Sequence, residues 1–391
     1  MKSQTHNIYK FTIFFLYIYS MYPWFTWSIK PIIITSVTFV VIVIHTVFHN
    51  KYYILKSKYL VSLFFLFLMI AWESLNSNFF GKMNSGLTFI AMSSIICLKD
   101  NYKIELVNYI TKWFAILLGI SFLCYVMFLF NIPQYHEIYA YKEALHEGYV
   151  FDNYYTFVVP TIRFFSYTRF QSIFLEPGHL TMGLAILSFI NRYNIKNKYV
   201  LILILVQLFT LSLAGYVLLC LGFLFFTFSS LSINKEKIQR FIFITTIVAG
   251  SIFLVNSIFS NNVIETAILN RLEYTNGVIT GDNRTNSYFD NIYNQVIDSP
   301  DKWTGIEWNQ YAYGGNSGYK KYIVSHGIIG VCLVLLFYTF TILNIRERET
   351  AGLALILYSL LYQNAYPTWW CVFLSVILGT SYLQSKYKNQ E

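Results

Sequence analysis

Charge is scarce in this chain. Asp, Glu, Lys and Arg together make up 12% of its 391 residues, about half their share in an ordinary soluble domain. Several motifs are missing altogether. There is no G-x-x-x-x-G-K-[ST], no H-E-x-x-H, no C-x-x-C and no D-x-D, which argues against nucleotide hydrolysis, zinc-protease chemistry and metal-bound sugar nucleotides. No cofactor and no metal are expected on these grounds. The five cysteines, Cys97, Cys124, Cys220, Cys332 and Cys371, all fall in or beside apolar segments, a distribution that disfavours disulfides and cysteine metal sites. Although the net charge is +9, the basic residues are scattered over short connections instead of forming a patch. Nucleic acid is therefore not an expected partner. Internal repeats and inverted halves are also absent.

Apolar residues make up 56% of the chain and aromatics 20%. Twelve apolar runs can be read, at about 10–28, 31–48, 59–75, 84–98, 112–131, 172–190, 199–213, 214–229, 240–260, 322–344, 350–363 and 367–384. The long run from Lys198 is divided near Ser212 to Gly215. The first segment has no small-residue cleavage site after it and reads as an uncleaved span. The expected fold is thus an all-α integral membrane protein, a single polytopic domain over 1–391 with about 12 transmembrane helices. Two long periplasmic loops, 132–171 and 261–321, would follow spans 5 and 9. Lysine and arginine concentrate in loops of one parity, from Lys2 and Lys10 through Lys51, Lys56, Lys58, Lys99 and Lys103 to Lys386 and Lys388. By the positive-inside rule those loops and both termini are cytoplasmic, in a bacterial inner membrane.

Ionisable residues enter an apolar segment in one stretch, RFQSIFLEPGHL, Arg169 to Leu180. Pro177 disfavours helix at Glu176 and suits the first helical position, so a helix is predicted from Pro177 to Ile190 with Glu176 at its mouth. Glu176 and His179 share a face if the helix continues through both. Either could accept a proton, and His326 in VSHGIIG is a third candidate. Each also has a structural reading: Glu176 as a partner for Arg169 or a helix-end cap, the histidines as satisfied core residues. Arg163, Arg169, Arg271 and Arg284 flank the long loops, and their planar forks suit a pyrophosphate. Lys320 and Lys321 could serve the same end. The loop tyrosines, Tyr167 among them, and neighbouring amides suit a sugar ring, or else mark a membrane-interface belt.

Taken together, R-F-x-S-x-F-L-E-P-G-H-L, L-S-L-A-G-Y and G-G-N-S-G-Y before H-G-I-I-G, with about twelve spans and two long loops, resemble the bacterial O-antigen polymerases, relatives of the O-antigen ligases. The resemblance implies a metal-independent glycosyltransferase that joins undecaprenyl-pyrophosphate-linked repeat units at the periplasmic face. Glycan donor and acceptor would be its partners, with membrane lipid and a chain-length regulator protein. In that reading Arg169 and Arg284 hold pyrophosphate, Glu176 is the base or orients the acceptor, and Asn316 and Tyr167 contact sugar. Gly315 stands where ligases place a histidine before the asparagine, which argues against ligase. A lipid-linked oligosaccharide flippase or exporter is the other alternative, disfavoured by the long loops.

Overall fold

Each apolar run but one coincides with a helix. In the computed structural model these are α1 (Lys2–Tyr19), α2 (Pro31–Phe48), α3 (Ser57–Ser74), α4 (Phe79–Ile96), α5 (Asp100–Leu129), α6 (Pro177–Ile190), α7 (Lys198–Phe209) and α8 (Leu213–Phe228). A polar stretch adds α9 (Ser287–Ile297), followed by α10 (Gly318–Leu343), α11 (Glu349–Gln363) and α12 (Trp370–Lys388). The structure describes residues 2–75, 77–141, 150–161, 168–228, 287–306, 318–343, 349–363 and 370–388, the pairs 274–275 and 278–279, and single positions 239, 242, 246 and 250. The run at 240–260 therefore lies almost wholly outside them.

Proline and asparagine set the helix starts. Pro31 and Pro177 open α2 and α6, each after an extended residue, Lys30 and Glu176. Proline fits there because its missing N–H would have had no partner in the first turn. Asn78 and Asn197 cap α4 and α7, accepting from the N–H of Gly81 at 2.8 Å and of Tyr199 at 3.0 Å.

The expected all-α fold with about twelve transmembrane helices and two long loops is overturned. Among the described residues only α2, α3, α5 and α10 are both long and apolar enough to cross a membrane. At 14, 12 and 16 residues, α6, α7 and α8 reach about 18 to 24 Å, short of a hydrocarbon core of about 30 Å. In α6, Leu180, Met182, Leu184, Ala185 and Ile186 are all fully buried. It is a core helix, with protein where lipid would lie. In α1 the segment KSQTH dilutes hydropathy, and in α4 Lys82, Asn84 and Ser85 do the same. The first supposed loop holds an antiparallel sheet of β1 (Glu137–Ala140), β2 (Val150–Asn153) and β3 (Val158–Pro160). The second holds α9 and the antiparallel pair β4 (Tyr274–Thr275) and β5 (Val278–Ile279).

The resemblance to O-antigen polymerases rested on that architecture and falls with it. So do the polymerase function and the twelve-span description that accompanied it. Membrane association stands, carried by the four long helices. On α2, Ile33, Val37, Val40, Ile44 and Val47 are exposed, and their spacing places them along one face. Such a stripe suits lipid.

The chain divides into two compact units. The first comprises Met1–Leu16, Ile29–Tyr109 and Asn283–Glu391. Within it α3 packs against α10 and α4, and α4 against α2. Polar ties hold α3 to α10 along their length: Trp72 Nε1 donates to the His326 carbonyl at 2.8 Å, the Tyr322 hydroxyl to Glu73 Oε1 at 2.8 Å, and Thr341 Oγ1 to Ser62 Oγ at 3.1 Å. Replacing Tyr322 with phenylalanine removes its hydrogen bond to that carboxylate. A loss of about 1 to 3 kcal/mol of stability is expected, read as a lowered melting temperature in detergent. An unchanged melting temperature would show that the bond contributes nothing.

The second unit comprises Tyr17–Ser28 and Ile110–Asp282. Here α6 packs against α7 and α8, so closely that a side chain at Gly215 would meet the Thr181 methyl at 2.6 Å. Trp27, Phe151, Val158 and Leu175 form a small core beneath the three-stranded sheet.

Candidate metal centre

Three imidazoles converge in the first unit. His45 lies on the last turn of α2 and His49 is its C-cap residue, with its N–H still bonded to the His45 carbonyl at 2.8 Å. The spacing of four puts both rings on one helix face, where they stack with centroids 4.7 Å apart. His6, on the first turns of α1, is the third. One ligand nitrogen from each of His6, His45 and His49 lies within 4.8 Å of the others. Both α2 histidines are buried, His45 at 0% and His49 at 6% exposure.

Aromatic rings wall the cluster. Tyr9 stacks on His45 at 3.9 Å, and Tyr52 on Tyr102 at 4.7 Å. After α2, a tight turn at Asn50–Tyr52 folds the chain back, and Ile54 and Lys99 bond to Cys97 and Tyr52 across the neighbouring connection at 2.8 Å each. This pairing sets Tyr52 and Tyr53 beside the start of α5, which carries Tyr102.

His45 and His49 each have one ring nitrogen held by an outer hydroxyl, and His6 has one facing a carboxylate at longer range. His45 Nδ1 is 2.7 Å from the Tyr53 hydroxyl, His49 Nε2 is 2.8 Å from Thr5 Oγ1, and His6 Nε2 is 3.9 Å from Glu105. If those contacts are kept, His6 Nδ1, His45 Nε2 and His49 Nδ1 form the donor set. Two of these three, His6 Nδ1 and His45 Nε2, approach one atom, the Tyr102 hydroxyl, at 3.4 and 3.5 Å. Outer partners of this kind orient metal-binding histidines and fix their tautomers. Burial raises the Tyr53 phenol to about 12, so at neutral pH it keeps its proton beside His45.

The donor set fits a borderline divalent ion. Neutral imidazoles suit zinc, copper, iron or nickel, and a Zn–N distance of about 2.0 to 2.1 Å would draw the nitrogens to about 3.4 Å from one another. Burial holds His6 below the ordinary imidazole range, helped by Lys10 and opposed by Glu105, which favours the neutral form that binds metal. The carbonyl end of α2 carries partial negative charge and also favours a cation. Glu105 in turn bonds to Lys10.

The residues singled out from the sequence lie elsewhere. In the second unit Glu176 is the residue before α6, as predicted, but its side chain makes no capping bond there. His179 follows on the first turn, its ring 5.5 Å from Tyr22. The Glu176 carboxylate favours the charged form of His179, and burial outweighs it, lowering the imidazole's pKa. Arg169 Nε points at the Thr210 carbonyl at 3.4 Å, at the C-terminal end of α7, a favourable place for a cation. In the first unit Lys320 pairs with Asp290 at 2.8 Å and lies over Tyr293. The Lys321 carbonyl accepts from Ser325, and the His326 ring packs against Tyr322 at 4.7 Å. Arg163, Tyr167, Arg271, Arg284 and Asn316 lie outside the described residues.

His6, His45 and His49 were not among the candidates from sequence. Their signal was H-x-x-x-H at the end of an apolar helix, two rings on one face. His6 stands 39 residues before His45 (45 − 6), and only folding brings it near. Compared with protein families, with characterised proteins and with solved structures, the chain matches none.

Proposed function

We propose that this chain is a membrane-associated metal-binding protein that takes one divalent ion of the zinc class at His6, His45 and His49. The observation that carries the proposal is the convergence of one nitrogen from each of three imidazoles within 4.8 Å. The Tyr102 hydroxyl is placed to complete or guard a fourth position. Because His6 belongs to α1 and the other two to α2, occupancy ties the N-terminal helix to the end of a membrane-length helix. Metal availability would thereby set the order of α1, as in a metal-responsive membrane protein. Lys51, Lys56, Lys58 and Lys99 surround this end of the unit in sequence, which supports placing it on the cytoplasmic side.

Protons compete for the same nitrogens, which gives a test. His6 has its folded pKa lowered, so its stabilising contribution is fully present above the unfolded value of about 6.5 and fades as pH falls through the lowered one. Zinc titrated into detergent-purified, metal-stripped protein is expected to bind one ion per chain at pH 7.5. Affinity is expected to hold near neutrality and then fall by about tenfold or more per pH unit below the imidazole range. Binding that is absent at pH 7.5, or unchanged between pH 7.5 and 5, contradicts an all-imidazole site.

A further inference from the structure

A second site stands out in the first unit, independent of the metal reading. A small cleft is lined by Lys58, Tyr59, Ser62, Lys103, Thr341 and Ser381, among others. Lys103 is 2% exposed. Its ammonium donates to the Ile96 carbonyl at 2.7 Å and lies 4.4 Å from the centre of the Tyr59 ring. Among the described residues no carboxylate comes within 4.0 Å of it. Asp100, three residues before it, is engaged by Lys56 at 2.6 Å, the Ser381 hydroxyl at 2.9 Å and the Tyr59 hydroxyl at 3.1 Å. Asp100 is the carboxylate whose charge reaches Lys103, and it serves Lys56 and Lys58 as well, so three cations share one acid, and a buried ammonium so thinly compensated is costly. Here it borders a cavity that holds a second lysine.

We propose that this cleft binds a phosphate-class anion between Lys58 and Lys103. An ammonium is a compact phosphate donor with three protons, and Lys103 spends one of its three on Ile96. Ser62 Oγ lines the cleft 3.1 Å from Thr341 Oγ1, and the Thr341 proton is given to the Phe337 carbonyl at 2.7 Å. Lys58 and Lys103 sit on the first turns of α3 and α5, whose N–H ends favour negative charge. Because α3 and α5 are both long and apolar enough to cross a membrane, a bilayer around them would bring lipid phosphates to the level of their first turns. The same chemistry would take a lipid phosphodiester or a free phosphate.

Two arms of one experiment separate these sources. In the first, inorganic phosphate and pyrophosphate are titrated into the full chain in neutral detergent by calorimetry. In the second, the chain is delipidated, offered phosphatidylglycerol or phosphatidylcholine, and examined by native mass spectrometry for retained lipid. Saturable binding is expected in at least one arm. Lys58→Gln is expected to weaken it about tenfold through loss of one charge-assisted contact, and Lys103→Met to abolish it. Response to inorganic phosphate alone identifies a soluble ligand, and selective retention of phosphatidylglycerol identifies a headgroup. If Lys103→Met fails to fold, Lys58→Gln decides. No saturable binding in either arm, or equal binding by wild type and Lys58→Gln, overturns the proposal.

Discussion

Changing His45 to alanine is expected to eliminate stoichiometric zinc binding, weakening affinity about a hundredfold or more. Structural zinc sites are worth about 10 to 16 kcal/mol over four ligands, or about 3 kcal/mol for each, and 1.4 kcal/mol is a factor of ten. His45 is the ligand with the least freedom to be replaced. It is fully buried, stacked between Tyr9 and His49, and anchored by Tyr53. Alanine at this position also removes the Tyr9 stack, so a second variant is needed to separate packing from ligation. His6→Gln keeps much of the side chain's bulk at a partly exposed position and is expected to lose zinc as well. If both variants retain one ion per chain with wild-type affinity, the cluster is an aromatic packing motif and no metal site. Calorimetry on metal-stripped protein, with metal content read by mass spectrometry, makes the comparison.

The largest loss of stability is expected at Gly327. Within α10 this residue has φ 66° and ψ −177°, a region essentially restricted to glycine. A Cβ there would meet the Trp303 carbonyl oxygen at 2.2 Å, backbone that has no easy way to yield. The break in the helix exists because another strand of backbone is laid against it. Ile306 N–H bonds to the Val324 carbonyl at 2.7 Å, and Ile329 N–H to Trp303 at 3.3 Å. Gly305 makes the reciprocal approach, with φ 78° and an added Cβ 2.5 Å from Ser325. Gly327→Ala combines backbone strain with a steric clash, together about 3 kcal/mol or more. Against a typical total of about 5 to 15 kcal/mol, that is enough to lower the yield of folded protein. Chromatography of detergent extracts and thermal unfolding read the effect. A variant with wild-type yield and melting temperature would mean that the contact between Gly327 and Trp303 is not held in solution.

Helix placement was legible in the sequence, because hydrophobic runs and proline punctuation are local. The predicted start at Pro177 and the run 31–48 coincide with α6 and α2. What the helices face was not legible. Hydropathy rises equally when a side chain meets lipid and when it meets protein, so the buried helix α6 read as a span. Gly327 lay inside an apolar run, where a glycine can be tolerated without breaking a helix. Its conformation depends on Trp303, 24 residues earlier in the chain (327 − 303).

The candidate site shows the same division. His45 and His49 could be paired from their spacing, but His6, Tyr53 and Tyr102 are brought in by packing. Glu176, which drew attention as a carboxylate in an apolar segment, keeps its predicted place at a helix mouth. A ligand set drawn from two separate segments leaves no compact signature of the H-E-x-x-H kind, only the His45 and His49 spacing.

The most direct test of the metal centre is X-ray absorption at the zinc edge on the loaded, full-length protein in detergent. The account predicts one zinc per chain with three imidazole nitrogens at about 2.0 to 2.1 Å, and loss of that signal in His45→Ala. A zinc surrounded only by oxygen, or a spectrum unchanged by the substitution, would contradict it.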